Sequence, residues 1–166
     1  MDSAVDVVIE DARWQVLDLG GLADRAVAHT LTHQDLATSW AVVVMGCDDA
    51  QIADLNTEFR GKPTTTNVLS WPAQDLAQPP AAPRPPTADP FGDYSLGDIA
   101  LAYETCQREA AAAEIPLTQH VTHLIVHATL HLLGYDHISD TDAARMEAAE
   151  IEILAQLGQP DPYNIG

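Results

Sequence analysis

The sequence predicts one domain, spanning residues 1–166, in which β-strands and α-helices alternate. The chain has 166 residues, a length at which one hydrophobic core can form. Hydrophobic residues make up 46% of it and charged residues 19%, which is typical of a folded globular protein. Short β-branched runs are followed by segments in which apolar residues recur at helical spacing, and this succession predicts the alternation.

Four segments have the composition of strands. VDVVI is bounded by charged residues and predicts a short buried strand. AVVVM is a β-branched run and the best candidate for a central strand. NVLSW is stopped by Pro72, and LGDIALA is the fourth candidate. The predicted strands therefore cover residues 5–9, 41–45, 67–71 and 96–102.

Five segments have the pattern of helices. The first follows a predicted break at Gly20 and Gly21, and the second is capped by Asp48 or Asp49 and ends at Gly61. The third is rich in alanine, the fourth is strongly apolar, and the last is amphipathic. The predicted helices cover residues 22–31, the segment up to residue 60, and residues 105–114, 118–133 and 140–157.

A proline-rich segment interrupts the alternation. Residues 72–90 contain seven of the eleven prolines of the chain. Proline lacks a backbone donor and blocks helix formation, so we predict a surface loop insertion over residues 72–95.

The charge balance restricts the partners that the protein can bind. Seven Lys and Arg residues stand against 25 Asp and Glu residues, which gives a net charge of -18. Such a chain repels polyanions at long range, so any contact with RNA requires a local basic spot. Arg60 and Lys62 form the one close pair of basic residues in the sequence.

Other features predict a cytoplasmic protein. No apolar run approaches the roughly 18 residues that span a bilayer, and the acidic N-terminus does not resemble a signal peptide. Cys47 and Cys106 lie far apart and outside any CxxC motif. We expect both to be reduced and buried.

The segment HATLHLLGYDH carries the strongest chemical signal, because it contains His127, His131 and His137. Residues four apart on a helix project from the same face, so the first two histidines can share an ion. Gly134 can end the helix and bring His137 back towards them. Three imidazoles that leave a fourth position open are typical of a catalytic zinc site, and we predict one Zn2+ per chain. Nickel and copper also suit these ligands.

Two neighbouring features limit this interpretation. His123 lies about 12 Å from His131 along a helix, too far for both to bind one ion, so we expect His120 and His123 to be polar, half-buried residues. Ala128 stands where a metallopeptidase of the HExxH kind carries its glutamate base. This argues against ordinary peptidase chemistry.

The histidine segment resembles the signature of the YbeY endoribonuclease family. Further blocks are similar to those of the family and follow in the same order over residues 40–163: LN followed by FRGK, then TNVLSWP, LGDI, the M-E-x-x-E pattern of the last helix, and LG followed by DPY. The proline-rich segment departs from the family pattern, since it lengthens the loop before LGDI.

The resemblance implies an α+β fold, a small mixed four-stranded β-sheet packed with about five helices, with the metal at the end of a cleft. It also implies metal-dependent cleavage of single-stranded RNA in 16S rRNA 3′-end maturation and ribosome quality control. Ribosomes or ribosomal proteins are then the expected partners. Arg60 matches the cleft arginine of the family, and we expect it and His127 to be catalytic. Lys62 would add a positive charge for substrate binding.

Two alternatives from other classes stay open. The first is a metal-dependent hydrolase of another kind, such as a peptidase whose base comes from elsewhere in the chain. The second is a ribosome assembly factor in which the metal is structural. The residue after His127 disfavours the first alternative, and an open coordination position disfavours the second.

Overall fold

The computed structural model describes residues 5–36, 40–62, 64–78, 82–87 and 94–163. These residues form four strands and six helices. Their bounds are β1 (Val5–Ile9), α1 (Arg13–Val16), α2 (Leu19–His33), β2 (Ala41–Cys47), α3 (Asp49–Arg60), β3 (Val68–Pro72), β4 (Ser95–Ala102), α4 (Tyr103–Ala113), α5 (Leu117–Leu132) and α6 (Asp140–Gln156). The four predicted strands and five predicted helices are confirmed; several of their ends coincide with the prediction, and the others differ from it by at most three residues.

The strands form a mixed sheet in the order β1-β2-β4-β3. β1 and β4 both run parallel to β2, whereas β3 pairs with β4 in the antiparallel direction. The α+β fold and the central position of β2 are therefore confirmed. The prediction that β1 is buried is wrong, because β1 is an edge strand whose Val8 and Ile9 are exposed.

Helices cover both faces of the sheet. On one face, α2 and α5 pack over Ile99 and Leu101 of β4, together with residues of α6. On the other face, Ile52 of α3 packs over Ala100 and Ala102. The alternation of apolar side chains along β4 thus contributes to two cores, as expected for a strand that is covered on both sides.

The first predicted helix begins earlier than its sequence suggested. Gly20 and Gly21 lie in the first turn of α2 and not in a break before it. Asp18 takes a left-handed conformation and accepts a hydrogen bond from the backbone N–H of Gly21, which caps the helix. A β-carbon on Gly21 would collide with the Asp18 carboxylate, so the absence of a side chain at this position allows the cap to form. The single turn α1 was not predicted, because four residues are too few to show a helical period.

Side-chain caps fix the ends of the two helices that flank the site. Of the two candidate caps of α3, the structure has Asp48, which forms a capping box with Gln51. Gly61 ends α3 in the left-handed conformation, so Arg60 is the last residue of the helix. Ser139 caps α6 by accepting from the backbone N–H of Asp142.

Both cysteines are free and buried, as predicted. Burial raises the pKa of Cys47 to about 11 and that of Cys106 to about 12, so both stay protonated and inert at neutral pH. Within the described part of the chain, no helix has both the length and the apolar character needed to cross a membrane.

Part of the predicted proline-rich loop lies outside the described residues, namely 79–81 and 88–93. Residues 82–87 fold back on the segment after β3. The backbone N–H of Arg84 donates to the carbonyl of Leu76 (2.9 Å), and the Gln74 amide donates to the carbonyl of Thr87 (2.7 Å). The insertion therefore supports residues 74–77, which form one wall of the cleft described next.

Candidate metal centre

The structure brings His127, His131 and His137 together. The first two lie four residues apart on α5, and their Nε2 atoms are 3.1 Å apart. The chain then turns at Gly134, whose φ of 99° is in the left-handed region, and returns His137 to the pair. One ring nitrogen from each histidine lies within 4.8 Å of the other two. The three side chains can therefore hold a metal ion.

Gly134 is needed at this turn for a second reason. A β-carbon there would lie 2.8 Å from the carbonyl carbon of Leu76 and 2.9 Å from the backbone nitrogen of Ala77. We expect Gly134→Ala to destabilise the protein by about 2 kcal/mol or more, a fall of roughly 4–8 °C in Tm for a chain of this size. Gly158→Ala is the matched control, because Gly158 has a φ of 78° but open space around it. Equal melting temperatures of the two variants would refute the close approach.

Hydrogen bonding prepares His131 for a metal. Its Nδ1–H donates to the carbonyl of Tyr135 (2.9 Å), so Nε2 carries the lone pair. The Tyr135 hydroxyl in turn donates to the side chain of Gln34 at the end of α2 (2.9 Å). Burial lowers the pKa of His131, and the neighbouring His127 lowers it further. The imidazole is therefore neutral at physiological pH, which is the form that binds metals.

The distances also fit a metal. Two nitrogens bound to one zinc ion at 2.0–2.1 Å and the tetrahedral angle are separated by about 3.3 Å. The separation of 3.1 Å between the Nε2 atoms of His127 and His131 is close to that value. The donor set is composed of imidazole nitrogens, which suits zinc as well as nickel and copper.

Glu150 of α6 is hydrogen bonded to His127, and no role was predicted for it from the sequence. Its carboxylate is buried and accepts hydrogen bonds from His127 Nδ1 (3.0 Å), His123 Nε2 (2.6 Å) and the Tyr163 hydroxyl (2.7 Å). Burial alone would raise the pKa of Glu150, but the hydrogen bonds from the two histidines outweigh it and lower the pKa to about 2. A signal was present in the sequence: Glu150 lies on the apolar face of α6, beside Met146, Ala149 and Ile153.

The neighbouring polar residues lie outside the cluster of three histidines. His123 and His120 are half-buried, as predicted, and His120 pairs with Glu109 (2.9 Å). Asp136 lies in the turn and accepts from the backbone N–H of His137 (2.7 Å), so its hydrogen bond goes to the main chain and not to the imidazole.

The three histidines line a cleft of about 770 Å³ between α5 and the β3 edge of the sheet. Arg60 lies on the same cleft, where its guanidinium donates to the carbonyl of Ser70 (3.1 Å). Arg60 is the one Arg or Lys among the described residues that line the cleft, and Ala128 lies beside His127. Lys62 is exposed and is not one of the described lining residues.

Comparison with known proteins agrees with this geometry. Residues 7–158 match the family model described as Endoribonuclease YbeY. Two similar relatives, both named Endoribonuclease YbeY, are a protein of a Ruegeria species (57% identical; 97% of this chain and 96% of the relative) and one of Cereibacter sphaeroides (56% identical; 98% of this chain and all of the relative). The solution structure of a Thermotoga maritima protein shares the fold, with a TM-score of 0.57 at 18% identity over 96% of this chain and 99% of that one.

Proposed function

The chain belongs to the YbeY endoribonuclease family, and we propose that it cleaves single-stranded RNA with a zinc ion held by His127, His131 and His137. The observation that carries this proposal is the position of the three imidazoles and Arg60 on one open cleft. Three protein ligands leave a coordination position for water or substrate. Zinc bound there would polarise a phosphoryl oxygen and lower the pKa of a bound water.

Arg60 would bind the scissile phosphate. A guanidinium has five N–H donors, and the bond from Arg60 to the Ser70 carbonyl holds the group at the cleft while others remain available. It can form two parallel hydrogen bonds to a phosphate and stabilise the negative charge that develops during cleavage. Lys62, two residues further along the chain, would attract the RNA as a point charge. His127 would act at the reacting centre as a metal ligand.

The biological substrate that we propose is the 3′ end of 16S rRNA, with ribosomes or ribosomal proteins as partners. A net charge of -18 supports contact with a basic ribosomal protein beside the RNA. The free, buried thiols of Cys47 and Cys106 are compatible with the cytoplasm. We assign residues 1–166 to one hydrolase domain with the proline-rich insertion at 72–95. The larger core contains residues from both the first and the last helices of the chain, and the smaller core packs on the other face of the same sheet.

The test of this function is an RNA cleavage assay with the purified protein. We expect cleavage of a single-stranded oligonucleotide, little cleavage of its duplex, loss of activity after dialysis against a chelator, and recovery when zinc is added. Cleavage of a peptide substrate but not of RNA would favour the other hydrolase class. Activity that persists without metal would contradict the proposed site.

A further inference from the structure

We propose that Glu150 is the positioning residue of the metal centre, because its buried carboxylate fixes His127 in the orientation and tautomer that a metal requires. The inference deepens the proposed function and rests on the metal site proposed there. Its basis is the network of Glu150, His127, His123 and Tyr163, which joins α5, α6 and the segment after α6.

The Glu150 carboxylate is buried and needs hydrogen-bond donors. The side chain is 1% exposed, and a carboxylate removed from water is costly unless it is hydrogen bonded. Three donors meet that need: His123 and Tyr163 on Oε1, and His127 on Oε2. Because His123 and Tyr163 hold one oxygen, the other oxygen stays directed at His127.

The hydrogen bond to Glu150 determines which nitrogen of His127 carries the proton. A carboxylate can only accept a hydrogen bond, so the proton of His127 must be on Nδ1. In the neutral ring, which is the form that binds a metal, Nε2 then carries the lone pair, and this is the atom that lies 3.1 Å from Nε2 of His131. The bond to Glu150 also restrains rotation of the ring. Carboxylate partners of this kind typically orient metal-bound histidines and increase their basicity.

Two other His–Glu pairs differ from the Glu150–His127 pair in the exposure of their carboxylates. His33 pairs with Glu152 and His120 pairs with Glu109, at 2.8 and 2.9 Å. The carboxylates of Glu152 and Glu109 are 65% and 40% exposed, so solvent weakens both pairs. Glu150 forms the same kind of pair, but its carboxylate is buried and its partner, His127, is a candidate metal ligand.

Glu150 does not line the substrate cleft among the described residues. It lines a separate cavity of about 390 Å³, which also borders His127 and His137 and includes Glu147 and Tyr163. Glu150 therefore acts through His127 and does not contact the RNA.

The test compares Glu150→Gln with Glu152→Gln, a matched change on the same helix. Glutamine keeps the shape of the side chain but turns one acceptor into a donor, so it cannot satisfy all three donors at once. In competition with a chelator, we expect Glu150→Gln to weaken zinc binding about 10- to 100-fold and Glu152→Gln to leave it unchanged. Tyr163→Phe removes the hydroxyl that donates to Glu150 (2.7 Å) and lies 3.4 Å from His123 Nε2, and it should weaken zinc binding about two- to fivefold.

A second measurement separates positioning from a general loss of stability. In the metal-free protein, 15N NMR should show His127 as the Nδ1–H tautomer in the wild type, with a mixed population in the Glu150→Gln and Tyr163→Phe variants. Tautomers and zinc affinities equal to those of the wild type in both variants would overturn the inference. If Glu150→Gln does not fold, Tyr163→Phe decides the question alone. Failure of the wild type to bind zinc would instead refute the proposed metal site itself.

Discussion

Replacing His131 with alanine is expected to remove the metal and to reduce RNA cleavage by about a thousandfold or more, because two imidazoles rarely retain zinc under dilution. His131 is central to the site: its Nε2 lies 3.1 Å from that of His127, and its Nδ1 is anchored to the Tyr135 carbonyl. Zinc content after dialysis and the cleavage rate on a single-stranded oligonucleotide measure the effect. Circular dichroism establishes whether the variant is folded.

The matched control for this change is His120→Ala. His120 lies on the same helix, but it pairs with Glu109 and is not one of the three clustered histidines. We expect this variant to retain the zinc content and activity of the wild type. A His131→Ala protein that keeps full metal content would show that the ion is held by other residues.

The second large effect is expected at Arg60. Arg60→Ala should reduce cleavage about 100- to 1,000-fold, the usual cost of removing a donor that stabilises charge in the transition state. Metal content should not change, because the described hydrogen bond of Arg60 goes to the Ser70 carbonyl and not to a histidine of the site. The melting temperature should fall only slightly, since the side chain that loses this bond is exposed. Single-turnover cleavage rates, measured at saturating RNA, test this expectation.

Two further variants sharpen the interpretation of Arg60. Arg60→Lys should recover only part of the activity, because lysine keeps the charge and loses the planar fork. Arg108→Ala is the matched control: Arg108 binds Asp49 and Thr105 at the start of α3 and α4, away from the cleft. Equal activity in all of these proteins would assign Arg60 to a purely structural role at the end of α3.

Most of the fold could be predicted because each element carries a local signal. The β-branched run AVVVM identified β2, and Asp48 or Asp49 together with Gly61 marked the ends of α3. The predictions that were wrong concern features that depend on tertiary context. The sequence of β1 resembles that of a buried strand, and only the strand order shows that β1 is at the edge. The glycines at the start of α2 look like a break until Asp18 is seen to cap them.

The same distinction applies to the metal centre, where the three histidines were predicted and the role of Glu150 was not. Three histidines within eleven residues can be brought together by one helix and one turn, so their convergence was predictable from spacing. Glu150 is 23 residues from His127, and the contact exists only because α6 packs against α5. The spacing of residues along one helix carries no information about such a pair. A carboxylate on the apolar face of an amphipathic helix is the local signal that points to it.

The most direct test of the metal centre is X-ray absorption at the zinc edge, combined with metal analysis, on wild-type protein purified without chelators and loaded with zinc. We predict one zinc ion per chain, bound by three imidazole nitrogens at about 2.0–2.1 Å and by one oxygen ligand. Substoichiometric zinc, or a shell with sulfur at about 2.3 Å from Cys47 or Cys106, would contradict the assignment of His127, His131 and His137 as the ligands.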